Sequence, residues 1–317
     1  MLKEKKFYKG VNLGGWLSQC DYSEDRINNF ITESDIKKVS SWGADHVRVP
    51  FDYNILENAD GSYKEEGFRK LESTVKTCIK YNLNVLLDLH KTAGFSFDNY
   101  NESESGFFES EEYQERFYRL WEKVAQTFSR YSDNVAFELL NEITHSSYID
   151  TWNRVADRCI RRIRKYAPDT LIFVGSYHHN SALTVQYLNK PYDDKVIYNM
   201  HCYEPLKFTH QGAYWADIIK KDERFSFEEM NCTPEYFEEL FSSAVEKAQK
   251  NNTFLYCGEY GVIDIVPADD MIKWLKCINS VFEKYGIGRA IWTYKEMDFG
   301  LADKRLENHI DTIVKYI

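Results

Sequence analysis

Asn141 and Glu142 close the run "AFELLNE", residues 136–142, and Glu259 lies in "YCGEYG", residues 256–261. Phe137, Leu139 and Leu140 read as part of a buried strand. An amide and a carboxylate are costly at the end of such a strand unless partners hold them there. Two carboxylates on separate strands suit glycoside hydrolysis. One acid protonates the leaving oxygen, and the second carboxylate attacks the sugar or activates water. A separation of roughly 5–5.5 Å gives retention and roughly 6.5–9.5 Å gives inversion. The acid is then expected to have a raised pKa, through burial or a nearby like charge, while its partner stays ionised.

Other polar or aromatic residues fall at comparable places in their own apolar runs: Arg48, His90, His201, Tyr203, Trp292 and Lys295. Each alone has an ordinary structural reading. A glutamate after a strand is usually solvated, a lone histidine is usually a satisfied structural group, and a lone tryptophan belongs to a core. Glu138 shares parity with Glu142 and is read as structural, paired with a cation such as Arg48. The common position of these residues favours a site over that reading. The histidines lack the spacing of a zinc site, and neither a metal nor a cofactor is expected. Lys295 keeps open an aldolase that forms a Schiff base, the rival enzyme class. A non-catalytic carbohydrate-binding barrel would lose one carboxylate, and both are present.

The residues need elements to position them. Short apolar runs recur at 10–15, 46–50, 84–90, 135–142, 171–176, 196–203, 253–261 and 289–295. They are nearly continuous in hydrophobicity, as strands buried on both faces of a parallel sheet are. Between them the period changes. Phe117, Leu120, Trp121, Val124 and Phe128 form one helix face. Trp152, Val155, Cys159, Ile160 and Ile163 form a second, and Phe237, Leu240, Phe241, Ala244 and Val245 a third, opened by Thr233-Pro234. Met271, Ile272, Leu275, Ile278 and Phe282 form a fourth that ends at Gly286. A further helix starts at "TESDI", with Ile36 and Val39 facing inward. Strands alternating with helices in this way predict an α/β fold, a single-domain (β/α)8 TIM barrel over residues 1–317. An open doubly wound sheet would show a phosphate loop, and "GVNLGG" lacks the GxGxxG spacing. The connections 91–108 and 204–232 are long, and both follow strands. They are expected at the C-terminal rim, where the polar strand ends also converge.

Composition narrows the partners. The net charge of −10 comes with no basic block, which argues against nucleic acid. Aromatic residues make up 16% of the chain, enough to pack a core or line a cleft that stacks on flat ligands. No stretch approaches the roughly 20 apolar residues of a membrane span, so no membrane partner is expected. The seven cysteines are scattered without a CxxC and read as reduced thiols. With no apolar run of signal-peptide length after "MLKEKKFYKG", the chain as given is expected in the cytoplasm; a trimmed leader would place it outside the cell.

These residues resemble the catalytic centre of glycoside hydrolase family five, in the large clan of retaining (β/α)8 enzymes. "ELLNE" and "YCGEYG" match that family's acid/base and nucleophile strands, and Arg48, His90, Asn141, His201, Tyr203 and Trp292 match its other defining positions in order. "NLGGW", "FELLNE", "LYCGEYGVI" and "YKEMDFGL" are similar to the clostridial endoglucanase C type of cellulase. The resemblance implies a retaining endo-β-1,4-glucanase acting on β-glucan or oligosaccharide. In it Glu259 would be the nucleophile and Glu142 the acid/base. Asn141 would hold the 2-hydroxyl, and Arg48 and Tyr203 would orient Glu259. His90 and His201 would bind sugar or carboxylates. Trp292 would form a stacking floor, and Trp215 and the 91–108 loop would supply outer subsites. Mannan and, through the likeness of "GVNLGGW" to exo-β-1,3-glucanases, β-1,3-glucan are the alternative substrates. The 204–232 connection matches the place of an extra subdomain in that type and is short here.

Overall fold

The computed structural model describes residues 1–98, 105–216 and 219–317. The strands are β1 (Lys9–Asn12), β2 (His46–Asp52), β3 (Asn84–Lys91), β4 (Val135–Glu138), β5 (Ile172–Val174), β6 (Val196–Cys202), β7 (Leu255–Tyr260) and β8 (Gly288–Ile291). They form one closed parallel barrel in chain order, with β8 returning to β1 so that Val11 faces Ile291. Among the described residues six long helices lie between them: α1 (Glu33–Ser41), α2 (Glu65–Lys80), α3 (Glu111–Phe128), α4 (Ile149–Ile163), α5 (Pro234–Lys250) and α6 (Ala268–Tyr285). Local chemistry sets their ends. Thr233 Oγ1 accepts the Tyr236 N–H at 3.4 Å ahead of Pro234, and Gly286 takes the left-handed conformation (φ 66°) that stops α6.

Alternation along the strands sorts apolar residues into two cores. Leu86, Ala136, Phe173, Ile197, Tyr256 and Ala290 point into the barrel and pack on Phe7 and Leu2 from the N-terminal segment. The opposite parity, including Val47, Val85, Phe137, Tyr198 and Cys257, packs outward in the same cluster as the helices. Continuing the inward parity toward the C-terminal end replaces apolar groups by Asn12, Arg48, Asp88, Glu138 and Asn199, all fully buried. The barrel is therefore mostly apolar at the bottom, where buried His46 is paired with the Tyr256 hydroxyl at 2.7 Å, and polar toward the mouth.

Glu259 needs an exception to strict alternation. Tyr256 points inward, so an unbroken strand would turn Glu259 outward. A register shift between Met200 and His201 pairs His201 with Glu259 and restores its inward aim. Tyr260 then packs outward, on Trp274 and Phe282 of α6.

Three expectations about elements change. The fourth strand ends at Glu138, because the chain bends beyond it and Glu142 adopts φ 45°. Trp292 and Lys295 lie past the last residue of β8, and Arg48 sits inside β2 rather than near its end. No long helix joins β5 to β6. His178, His179 and Asn180 have φ of 50°, 53° and 56°, a left-handed run that does not propagate a helix in L-residues. The 204–232 connection has, among the described residues, a helical turn at Leu206–Thr209 and a 3-10 turn at Glu228–Met230. No helix among the described residues is long and apolar enough to cross a membrane.

Candidate active site

Arg48 organises the polar end of the barrel. Its guanidinium is fully buried and donates through Nε and Nη2 to both oxygens of Glu138, at 2.7 and 2.8 Å. Nη1 donates to Glu259 Oε1 at 2.7 Å and to Asn12 Oδ1 at 3.0 Å. Nη2 also reaches Asn141 Oδ1 at 2.8 Å and Asp88 Oδ2 at 2.9 Å. The planar fork suits this task, since a lysine has no second nitrogen to bridge carboxylates. Burial opposes the charge, but Asp88, Glu138 and Glu259 together hold Arg48 well above its ordinary value. Burial and the Asp88 charge push the Glu138 carboxyl up, although Arg48 draws it the other way.

Glu259 is held at both oxygens. Arg48 takes Oε1, and the Tyr203 hydroxyl donates to Oε2 at 2.9 Å. Burial and the Glu259 charge raise the Tyr203 phenol, so it stays a donor. Glu142 has a different environment. His201 Nδ1 lies 2.8 Å from Oε1, and His179 Nδ1 lies 3.1 Å from Oε2. Asn180 Nδ2 faces Nε2 of His201 at 3.3 Å. One oxygen of Glu142, one of Glu259 and a ring nitrogen of His201 lie within 4.8 Å of one another. Such an approach is closer to the retaining separation than to the inverting one.

The expected raised pKa of Glu142 is not what the structure holds. Burial alone would push this carboxyl up, but the hydrogen bonds and charges of His179 and His201 outweigh it and hold Glu142 well below the usual carboxylate range. The physical reason is His179, which follows β5 and adds a second ring nitrogen to this carboxylate.

His90, Asn141 and Trp292 line the same space. His90 Nδ1 meets Asp88 Oδ2 at 2.5 Å, and its Nε2 lies 3.4 Å from Asn141 Nδ2. Burial would lower the His90 imidazole, but Asp88 outweighs it and the net shift is upward. The Trp292 ring stacks parallel to His90, 5.9 Å between centroids and 5° between planes. Gly14 admits it: a Cβ there would come within 2.7 Å of the indole. Trp215 is 38% exposed on the rim, 6.4 Å from the His210 ring. Lys295 Nζ is instead 3.4 Å from Asp35 of α1 and 4.7 Å over the Phe30 ring. The candidate loop 91–108 falls partly on residues 99–104, outside the described residues.

A family model described as cellulase, glycosyl hydrolase family 5, matches residues 6–298. The chain belongs to this glycoside hydrolase family. It is 57% identical over 289 residues to cellodextrinase A of Ruminococcus flavefaciens, covering 91% of this chain and 86% of that one. It is 35% identical over 325 residues to endoglucanase C of Acetivibrio thermocellus, 94% of each. Among solved structures, the cellulose synthase subunit Z of Clostridioides difficile superposes with a TM-score of 0.83 at 26% identity, over 98% of each chain.

This family 5 hydrolase gathers every residue singled out by sequence around one mouth except Lys295 and Trp215, which stand farther out. Sequence reasoning missed Asp88, Asn12, Asn199 and His179. Asp88 had a signal: it lies two residues before His90 and shares its parity. So did "SYHHN", residues 176–180, two histidines a few residues past a strand end.

Proposed function

We propose that this hydrolase cleaves β-1,4-glucans, soluble polymers and cello-oligosaccharides alike, by retaining double displacement with Glu259 as nucleophile and Glu142 as acid/base. The observation that carries the reading is the pair itself: two carboxylates with an oxygen of each within 4.8 Å, one held by Arg48 and Tyr203, the other by two histidines. The names of the relatives, a cellodextrinase and an endoglucanase, support the substrate class.

The steps follow from the donors. Glu259 attacks the anomeric carbon while Arg48 and Tyr203 keep its charge and orientation. Glu142 gives a proton to the departing oxygen, then takes one from the water that releases the sugar from Glu259. Asn141 Oδ1 is occupied by Arg48, so the amide presents Nδ2, a donor suited to the sugar 2-hydroxyl. Trp292 forms the floor under the cleaved residue, and Trp215 offers a platform for an outer sugar.

Chain-length profiles from mixed-linkage β-glucan, β-mannan and cellotetraose test the substrate. Early mid-length glucan fragments with mannan untouched are expected. Cleavage of mannan alone would keep the pair and overturn the substrate. Glucose or cellobiose alone from the start would mean exo action. Glu142→Ala and Glu259→Ala are each expected to fold and to lose about 10²–10⁴-fold or more in turnover. Wild-type rates in either would sink the assignment.

A further inference from the structure

His179 sits where no step above has used it. Its Nδ1 is 3.1 Å from Oε2 of Glu142, and its side chain is 55% exposed, whereas His201 on the other oxygen is buried. The ring is held in place by its backbone. The N–H of His178 donates to Thr144 O at 3.2 Å and that of His179 to Ile143 O at 3.0 Å, so the left-handed run docks on the chain that follows Glu142. Asn180 is fully buried and anchors the other side, its amide facing His201. Gly175 makes room for it, since a Cβ there would meet Asn180 Oδ1 at 2.2 Å.

An acid/base needs a proton, yet both oxygens of Glu142 face ring nitrogens that favour the bare carboxylate. The proton it spends must therefore be kept nearby and must return. His179 is the exposed partner, the one an arriving sugar can displace. We propose that Nδ1 of His179 is where the proton used by Glu142 rests between turnovers, making His179 a positioning residue that acts through Glu142. The inference rests on Glu142 being the acid/base.

The transfer balances within the pair. Imidazolium at Nδ1 and carboxylate at Oε2 become neutral imidazole and carboxylic acid as the sugar dries Glu142. The acid passes that proton to the leaving oxygen. In the second step Glu142 takes a proton from water, the hydroxyl goes to the anomeric carbon, and Glu259 is released as carboxylate. The proton then returns to His179. The charged and titratable groups facing this pair are Glu259 from β7, His201 from β6, and Tyr203 and His210 from the chain that follows β6. In support, the hydrogen bond to Glu142 raises His179 against the effect of burial, while Glu142 is lowered.

With the proton stored on His179, the basic limb of kcat/KM reports the raised imidazole. The test is the pH profile of cellotetraose hydrolysis by His179→Phe and His179→Gln. Phe keeps a ring of similar size; Gln keeps a donor but holds no exchangeable charge. Both are expected to move the basic limb down by about one pH unit or more, roughly tenfold in rate at neutral pH. Both should leave hydrolysis of 2,4-dinitrophenyl β-cellobioside, whose leaving group needs no proton, within a few-fold of wild type. A limb that stays put or moves upward in both variants overturns the inference. If His179→Phe shifts the limb and His179→Gln restores it, hydrogen bonding alone suffices and the stored proton is overturned. Glu142→Ala separates the levels. If it retains cellotetraose hydrolysis, the acid/base reading itself fails; if it loses it while His179→Phe keeps the wild-type profile, only the inference fails.

Discussion

Arg48 carries the charge balance of the site, so its removal has a large and specific cost. Arg48→Ala leaves Asp88, Glu138 and Glu259 facing one another without the cation. Breaking a buried pair in this way costs about 3–5 kcal/mol, which urea unfolding would read as a lower midpoint. An unchanged midpoint would mean the carboxylates are not ionised around it. Tyr203→Phe removes one donor from Glu259 and leaves the packing on Phe299 intact. Its kcat is expected to fall about tenfold or more with a wild-type melting temperature. The two glutamates were legible in the sequence because each lies at or near the end of an apolar run, where a polar group is expensive. The Arg48–Glu138 pair was legible from parity. The partner on Oε2 of Glu142 was not, because which histidine of "YHH" meets it depends on a left-handed backbone that no periodicity announces.

Glycine and register place these side chains at the scale of the element. Gly14 lies beyond β1 beside Trp292, so Gly14→Ala pushes a methyl group into the indole. The variant is expected to fold, with its effect on kcat/KM for cello-oligosaccharides exceeding any loss in thermal stability. Wild-type kcat/KM would show that Trp292 needs no such seat. Thr233→Ala removes the cap of α5, which touches none of the catalytic side chains, and is expected to cost about 1 kcal/mol with activity unchanged. Helix positions were readable because their stripes are long. Strand ends were less so: β4 stops at Glu138 and β8 at Ile291, while the apolar runs continue past them. Leu139 and Leu140 are buried but lie beyond the strand. Hydrophobicity therefore marks burial there and cannot mark where the ladder ends. The register shift beside Glu259 was equally silent.

The whole molecule is a barrel whose closure, not its covalent links, makes it one body. All seven cysteines are free, five of them buried, with only Cys20 and Cys277 half-buried. Burial raises these thiols and slows their reaction. A thiol reagent should therefore titrate no more than those two in the native protein and all seven after unfolding, and reductant should leave the melting temperature unchanged. A reductant-sensitive melt would contradict this. Alternating strands and helices made the barrel legible as a whole, since few other folds bury so many short parallel runs. The central claim is that Glu142 and Glu259 perform a double displacement at one mouth, and the stereochemistry of the first product tests it most directly. Proton NMR of cellotetraose during the first minutes of digestion should show the β-anomer of the new reducing end first, followed by slow mutarotation. Initial appearance of the α-anomer would contradict the account.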